Sequence, residues 1–202
     1  MPTRGIDISH WNQIDNWEVL GKELRATNGF IIVKAGGNEK GKHYIDAALE
    51  RNMEKIYKYF IPYGLYYFTG GQVNSAMAGR TAAVDFLDII LKVDCANTPM
   101  GYWCDYEMGM SKTRAGNTDA VINFCNCVKR ETGKECGIYG SDIFTFKNML
   151  DSSRLKDYRK WVAKYSSKAP EYITDWYIWQ HSSTGRVPGI YGNVDLNVMH
   201  DF

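Results

Sequence analysis

The stretch that decides the fold runs from Phe30-Ile31-Ile32-Val33-Lys34-Ala35 to Tyr63-Gly64-Leu65-Tyr66-Tyr67-Phe68. Both segments are short, mostly apolar runs of strand length, and residues 46–60 between them carry apolar side chains at helical spacing. A strand, a helix and a second strand in this order are typical of a crossover that places the two strands parallel in one sheet. Residues 30–68 therefore predict an α/β fold.

The same unit repeats outward in both directions along the chain. Five strands, each followed by a helix, are predicted at 5–9, 30–35, 63–68, 101–107 and 137–140, and the helices include 46–60, 75–93, 118–130 and 142–150. After residue 157 the helical periodicity stops, and three strand-like stretches follow at 161–165, 176–182 and 194–198. Eight strands close a barrel that side chains can fill. We predict an irregular TIM-like barrel of five βα units followed by three β-strands.

Composition narrows the classes of function. A chain of 202 residues suits a single domain, and 45% hydrophobic with 23% charged residues is the composition of a globular protein. The net charge of +1 provides no basic surface of the kind that nucleic-acid phosphates require. No apolar run is long enough to span a bilayer or to act as a signal peptide. We expect one domain over residues 1–202, a monomer that neither binds nucleic acid nor inserts into a membrane.

The cysteine pattern gives no sign of a disulfide framework or a metal site. The cysteines are odd in number and lack metal-type spacing, and two of them lie two residues apart in a predicted helix, on different sides of it. We expect buried free thiols, no metal and no cofactor, as in a protein made in a reducing compartment. The five cysteines are Cys95, Cys104, Cys125, Cys127 and Cys136.

The segment Gly101-Tyr102-Trp103-Cys104-Asp105-Tyr106-Glu107-Met108-Gly109 holds two acids on one predicted strand. Side chains alternate along a strand, so Asp105 and Glu107 share a face with Trp103. The active sites of such barrels lie at the C-terminal strand ends, and carboxylates are costly to bury without partners. The pair is therefore a candidate general acid with its electrostatic partner. A solvated strand end and a magnesium site remain alternatives for this segment taken alone.

Two more acids are predicted to reach the same end of the barrel. Asp7 alternates with apolar residues on the first strand, and Asp195 does so on the last. Either acid alone is more typical of a cap or a turn. Together with Asp105 and Glu107, they predict four carboxylates converging from separate strands.

From residue 4 to residue 202, the chain resembles the glycoside hydrolases of family 25. Two positions depart from the usual pattern: Tyr67 stands where many relatives have His, and His10-Trp11-Asn12 replaces the more common Gln-Gly ending of the first motif. Neither departure involves one of the four acids, so the acidic set is complete. The departures bear instead on the details of the groove and on substrate preference. The resemblance rests on the order of these motifs: Gly5-Ile6-Asp7-Ile8-Ser9, Phe30-Ile31-Ile32-Val33-Lys34-Ala35, Gly64-Leu65-Tyr66-Tyr67-Phe68, Asp105-Tyr106-Glu107, Gly137-Ile138-Tyr139, Trp179-Gln180-His181-Ser182-Ser183 and Gly192-Asn193-Val194-Asp195-Leu196-Asn197.

The resemblance implies a lysozyme, a peptidoglycan hydrolase that cleaves between N-acetylmuramic acid and N-acetylglucosamine with retention of configuration. It implies Glu107 as the proton donor, with Asp7, Asp105 and Asp195 completing the acidic site. Like-charge repulsion from three carboxylates raises the proton affinity of the fourth, which agrees with this division. The attacking group is left open between Asp105, Asp195 and the acetamido group of the substrate. The spacing of the acid pair, roughly 6.6 Å between Cα atoms, is compatible with retention.

The resemblance also bears on the groove and the setting of the enzyme. It implies glycan strands of bacterial peptidoglycan as the partner, and release from a host cytoplasm at lysis, as for a phage endolysin; a bacterial autolysin is the alternative. Relatives often carry a C-terminal wall-binding domain, so residues 1–202 are expected to be a catalytic domain that a longer protein can contain. Five residues in the matching motifs are expected to line the sugar groove: Lys34, Tyr66, Phe68, Tyr139 and Trp179.

Three other functions compete with this interpretation. A chitinase-like glycosidase can use an Asp-x-Glu pair with the substrate acetamido group on chitin. A wall-binding barrel without turnover is the second alternative, and the intact acid set argues against it. Metal-dependent phosphodiester hydrolysis is the third.

Overall fold

The computed structural model describes residues 3–93, 98–108 and 113–200, in which the chain forms strands and helices in alternation. The strands are β1 (Thr3–Ile8), β2 (Gln13–Ile14), β3 (Phe30–Glu39), β4 (Lys42–Ile45), β5 (Tyr63–Phe68), β6 (Tyr102–Asp105), β7 (Cys136–Ser141), β8 (Lys160–Ala163), β9 (Ile178–Gly185), β10 (Ile190–Tyr191) and β11 (Val194–Met199). The helices are α1 (Trp17–Ala26), α2 (Leu49–Lys58), α3 (Ala76–Lys92), α4 (Arg114–Thr132), a π-helix (Asp142–Met149) and a short 3₁₀-helix (Ser152–Arg154).

Eight strands close into a barrel in the order β1-β3-β5-β6-β7-β8-β9-β11. The sheet closes because β1 pairs with both β3 and β11. From β1 to β9 each neighbouring pair is parallel, whereas β11 runs antiparallel to both β9 and β1. The predicted irregular TIM-like barrel of eight strands is confirmed. Outside the barrel, β4 pairs with β3 as an additional antiparallel strand.

Apolar layers lie on both sides of the barrel wall. On the outside, the rings of Phe86 on α3 and Phe124 on α4 stack with centroids 5.8 Å apart. On the inside, Trp103 and Trp161 meet edge to face at the same separation. Both indoles are almost completely buried. The interior is therefore filled by rings, as expected for a barrel of this size, and a site must lie above them at the open end.

Several predicted boundaries differ from the structure for local reasons. The helix predicted at 46–60 is the shorter α2. Asp46 forms a turn before it, accepting the Ala48 N–H with its side chain and the Leu49 N–H with its carbonyl, each at 3.0 Å, and Phe60 follows the helix with a left-handed backbone (φ +52°). The helix predicted at 118–130 begins earlier, where the Thr113 hydroxyl accepts the Gly116 N–H at 3.2 Å as an N-cap. It ends at Gly133, whose left-handed φ of +67° is typical of a helix C-terminus.

The cysteines fit the prediction wherever the structure describes them. Cys104, Cys125, Cys127 and Cys136 are free and buried, and Cys95 lies outside the described residues. None of the helices in the described ranges has the length and apolar character needed to cross a bilayer.

Candidate active site

Four carboxyl groups line one cavity of about 420 Å³ at the open end of the barrel. Asp7 lies near the C-terminal end of β1, and Asp105 is the last residue of β6. Asp195 reaches the same end from the start of β11, because this strand runs antiparallel to β1 and pairs Asp195 directly with Asp7. Glu107 lies two residues beyond β6, so the strand predicted to reach it ends earlier. The structure thus brings all four predicted acids together.

The floor of the cavity is aromatic. The ring of Trp161 lies 4.4 Å from that of Tyr139 and 6.0 Å from that of Tyr66, measured between centroids. All three rings line the cavity, and Trp161 is almost fully buried beneath it. A floor of this kind offers little solvation to a negative charge, so it favours the neutral form of a carboxyl group placed on it.

Two side-chain amides hold Asp7 in place. Gln180 and Asn197 donate to the same oxygen, Asp7 Oδ2, at 2.9 and 2.8 Å. The Asn197 amide is oriented by Trp161, whose indole N–H donates to its Oδ1 at 2.7 Å. Because each amide has one oxygen and one nitrogen end, this contact leaves the Asn197 nitrogen facing Asp7.

Gln180 is oriented in the same way by two phenols. Its Oε1 accepts from the hydroxyl of Tyr139 at 2.8 Å and from that of Tyr165 at 3.2 Å. The Tyr139 hydroxyl also lies within hydrogen-bonding reach of Glu107. Burial, followed by the charge of Glu107, raises the pKa of Tyr139 well above its usual value, so this residue remains a donor. A single polar network therefore links Asp7 to Glu107.

Asp7 holds a proton that it shares with Asp195. Burial and then the charge of Asp195 raise the pKa of Asp7 to about 8, and the two amide donors only partly oppose the shift. The hydrogen bond between the two carboxyl groups raises the pKa of Asp7 and lowers that of Asp195. Asp195 is raised by burial as well, but this bond favours placing the negative charge of the pair on Asp195.

Replacing Asp7 by Asn should make the protein more stable at alkaline pH. In the wild type, the unfolded chain releases the Asp7 proton near its ordinary pKa of 3.8, whereas the folded protein keeps it up to about 8. Stability from this group is therefore complete below pH 4 and is lost as the pH rises towards 8, by about 6 kcal/mol at most. An amide is neutral throughout and can still donate to Asp195.

Thermal melts at pH 4, 6 and 8 test this expectation. The melting temperature of Asp7→Asn should gain on that of the wild type by several degrees between the lowest and highest pH. The exposed Asp157→Asn is the matched control and should follow the wild type. Parallel pH profiles for Asp7→Asn and the wild type would contradict the assignment of the proton to Asp7.

Asp105 is more deeply buried than Glu107, the acid two residues further along the chain. It is 5% exposed, and its Oδ1 has no hydrogen-bond partner within the described ranges. Burial and then the charge of Glu107 raise its pKa well above the usual value, against the opposing charge of Lys34. The Thr69 N–H and hydroxyl fix its backbone carbonyl at 3.0 and 2.7 Å. Asp105 is thus a rigidly held, buried carboxyl group whose surroundings favour its neutral form and whose Oδ1 is left without a partner in the described residues.

Glu107 is the acid that solvent and a substrate can reach. Its side chain is exposed at the rim, yet the protein around it raises its pKa by desolvation, and the charge of Asp195 adds to this effect. The Tyr139 hydroxyl and the Lys34 ammonium oppose the shift. An accessible carboxyl with increased proton affinity can donate a proton to a bound ligand.

Four of the five predicted groove residues line the acid cavity: Lys34, Tyr66, Phe68 and Tyr139. The Lys34 ammonium lies 5.0 Å from the ring centre of Phe68 and 5.9 Å from that of Tyr66. Such contacts hold the cation at the cavity wall.

Trp179 lies elsewhere, and its prediction as a groove residue does not fit the structure. Its indole N–H donates to the Lys164 carbonyl at 2.8 Å, and the ring borders a separate groove on the outside of the barrel. The reason is strand alternation, because its neighbour Gln180 takes the inward position on β9. Tyr67, which departs from the usual His, also faces outward, with its hydroxyl 3.0 Å from His43 Nδ1.

Sequence reasoning missed the two residues that hold Asp7. Strand alternation could have indicated both. Asn197 lies two residues after Asp195 and therefore shares its face, and Gln180 faces the side of the strand opposite to that of its neighbour Trp179. Within the described ranges, no group of three or more His, Cys, Asp or Glu side chains is arranged to hold a metal ion.

Comparisons with known proteins identify the family of the chain. YegX of Escherichia coli K12, an uncharacterized protein, is 27% identical in an alignment of 201 residues that covers 97% of this chain and 69% of YegX. Lysozyme M1 of Streptomyces globisporus is 26% identical over 211 residues, covering 96% of this chain and 66% of that protein. The catalytic domain of endolysin ply40 from bacteriophage P40 of Listeria monocytogenes superimposes with a TM-score of 0.80 at 25% identity, covering 99% and 94% of the two chains. A profile of the glycosyl hydrolases of family 25 matches residues 6–190, and the chain belongs to this family of glycoside hydrolases.

Proposed function

We propose that this enzyme is a lysozyme, a 1,4-β-N-acetylmuramidase that cleaves peptidoglycan between N-acetylmuramic acid and N-acetylglucosamine. The observation that carries the proposal is the cavity in which an accessible Glu107 stands among three further carboxyl groups over an aromatic floor. Relatives named as a lysozyme and as an endolysin support the choice of peptidoglycan over other glycans.

Glu107 acts as the general acid in this proposal. Its proton passes to the glycosidic oxygen as the bond between that oxygen and the anomeric carbon breaks. The positive charge that develops at the sugar ring then needs an anion on the other side of the bond. Among the remaining acids, Asp195 suits this role best, since Asp7 holds the shared proton and burial favours the neutral form of Asp105.

Retention of configuration follows from two displacements. In the first, either the Asp195 carboxylate or the acetamido oxygen of the substrate, with Asp195 orienting it, attacks the anomeric carbon. In the second, water attacks the same carbon and Glu107, now deprotonated, accepts a proton from it. Asp7 keeps Asp195 in position through their shared hydrogen bond.

The setting of the enzyme is part of the same proposal. We take residues 1–202 as a single catalytic domain that works as a monomer on the glycan strands of the bacterial wall. The likeness to the endolysin of a Listeria phage favours a role in host lysis over that of a bacterial autolysin.

Mass spectrometry of digested peptidoglycan tests the proposed cleavage. Purified walls are digested and the new reducing ends are converted to sugar alcohols with borohydride. We expect the reduced residue to be N-acetylmuramic acid in every soluble fragment, because the scissile bond follows this sugar. The anomer formed first, read by proton NMR, should be β, since two displacements restore the original configuration.

Other outcomes would support the competing functions. Reduced N-acetylglucosamine ends would place the cut at the other bond. Hydrolysis of chitin oligomers with walls left intact would support a chitinase-like glycosidase. Binding to walls without release of fragments would support a barrel without turnover, and loss of activity with a chelator would support metal-dependent hydrolysis.

A further inference from the structure

A second cavity adjoins the acid cavity along a shared wall. Trp11, Lys34 and Phe68 line both, and the second cavity, of about 510 Å³, continues towards Tyr44 and Glu39. Both volumes fall within the range of small-ligand sites, about 300–1,000 Å³. A ligand that fills the acid cavity and extends past this wall enters the second cavity directly.

Trp11 is presented to solvent on a rigid turn between the two cavities. Its side chain is 82% exposed. The backbone beneath it is fixed by three hydrogen bonds. The Trp11 N–H donates to the Ser9 hydroxyl at 3.3 Å, the Asn12 N–H donates to the Ser9 carbonyl at 3.1 Å, and the Ser9 N–H donates to Asn12 Oδ1 at 2.9 Å. A large apolar ring held in water on an ordered turn loses little freedom when a ligand covers it.

The ring itself is supported by His10, whose imidazole is hydrogen-bonded to a buried aspartate side chain. The imidazole of His10 packs against the Trp11 indole with centroids 4.5 Å apart. His10 Nδ1 lies 2.7 Å from Asp46 Oδ2, and the His10 N–H donates to the same oxygen at 3.2 Å. The Asp46 side chain is fully buried, and its other oxygen accepts the Ala48 N–H at 3.0 Å. The orientation of Trp11 is thus tied through His10 to the segment that precedes α2.

We infer that Trp11 is a stacking platform for a further N-acetylhexosamine ring of the glycan strand, which occupies the second cavity next to the acid cavity. His10 and Asp46 are its positioning residues. A pyranose offers an apolar C–H face to an aromatic ring and polar groups at its edges. In the second cavity, Glu39 can accept from hydroxyl or amide N–H groups, and Lys34 can donate to a carbonyl. The inference rests on the proposed function, because it assumes a glycan in the acid cavity.

The inference predicts that Trp11→Ala loses activity only on long substrates. We expect about a tenfold lower kcat/KM, through KM, on glycan oligomers of three disaccharide repeats, and no change on the shortest oligomer that the wild type cleaves. Trp11→Tyr should recover most of the loss, since it restores a stacking ring. The loss of kcat/KM in His10→Ala should be smaller than in Trp11→Ala and larger than in Trp11→Tyr, because this substitution removes the support of the indole and leaves the indole itself. Leu91→Ala, which removes an exposed apolar side chain on α3, is the matched control and should change nothing.

Binding provides a readout that does not depend on turnover. The same oligomers are titrated into Glu107→Gln and into Glu107→Gln combined with Trp11→Ala, and tryptophan fluorescence is followed. We expect the long oligomer to bind about tenfold more weakly to the double variant and the short one equally to both. Equal length dependence with and without Trp11 would overturn the inference, whether or not the wild type cleaves. Failure of the wild type to cleave any wall or glycan oligomer would instead overturn the proposed function.

Discussion

The Glu107→Gln variant is expected to clear a suspension of purified bacterial walls about 10²–10⁴ times more slowly than the wild type, the contribution typical of a positioned general acid. An amide fills the same space as the carboxyl group but cannot transfer a proton to the glycosidic oxygen. The Tyr139 hydroxyl and the Lys34 ammonium beside it can still meet the amide oxygen, so binding to walls should persist.

Three measurements separate this role from a structural one. Wall pelleting should show unchanged binding, and thermal melts should show a folded protein. An aryl glycoside whose leaving group needs no protonation should narrow the deficit of Glu107→Gln relative to the wild type. The exposed Glu50→Gln on α2 is the matched control and should clear walls normally.

The pH profile gives a further check of the same role. Because the protonated form of Glu107 is the active one, wild-type activity should fall as the pH rises through the raised pKa of this residue. The alkaline limb should be absent from the residual activity of Glu107→Gln. Normal clearing by Glu107→Gln would remove Glu107 from the mechanism.

The period-two alternation of strands explains how much of the site could be predicted. It places Asp7, Lys34 and Phe68 inside the barrel, because their neighbours on each strand are apolar residues that face the helices. For Glu107 the rule indicated the right cavity but the wrong element. The strand predicted to reach residue 107 ends at Asp105, and Glu107 reaches the cavity from the loop after β6.

The contacts that tune the acids lie beyond what a single sequence shows. Asp7 depends on Gln180 and Asn197, which reach it from β9 and β11, over 170 residues away along the chain. Their pairing requires the antiparallel direction of β11, which strand counting alone does not provide. Trp179 was expected in the groove because it belongs to a matching motif. It faces outward, because its neighbour Gln180 occupies the inward-facing position on β9.

Asp195→Asn is the prediction that separates the roles of the remaining acids. We expect it to lower kcat on peptidoglycan by about 10²–10³-fold, the loss typical when one group that stabilises transition-state charge is removed. Asp195 lies opposite Asp7 in an antiparallel pair, where Cβ atoms are about 4.5–5.5 Å apart, and their hydrogen bond leaves the charge on Asp195. An amide removes that charge and retains the bond.

The matched comparison is Asp105→Asn, because burial already favours a neutral Asp105 and an amide resembles its protonated form. We therefore expect Asp105→Asn to lose less activity than Asp195→Asn, measured as kcat on the same soluble glycan at neutral pH. The exposed Asp157→Asn controls for the loss of a carboxyl group as such.

If Asp195 attacks the sugar itself, azide should restore turnover of Asp195→Asn and give a glycosyl azide. If the acetamido group attacks, a thiazoline analogue of the cyclised sugar should inhibit the wild type strongly and azide should have no effect. A larger loss at Asp105 than at Asp195 would reverse the two assignments, because the anion at the anomeric carbon would then come from β6.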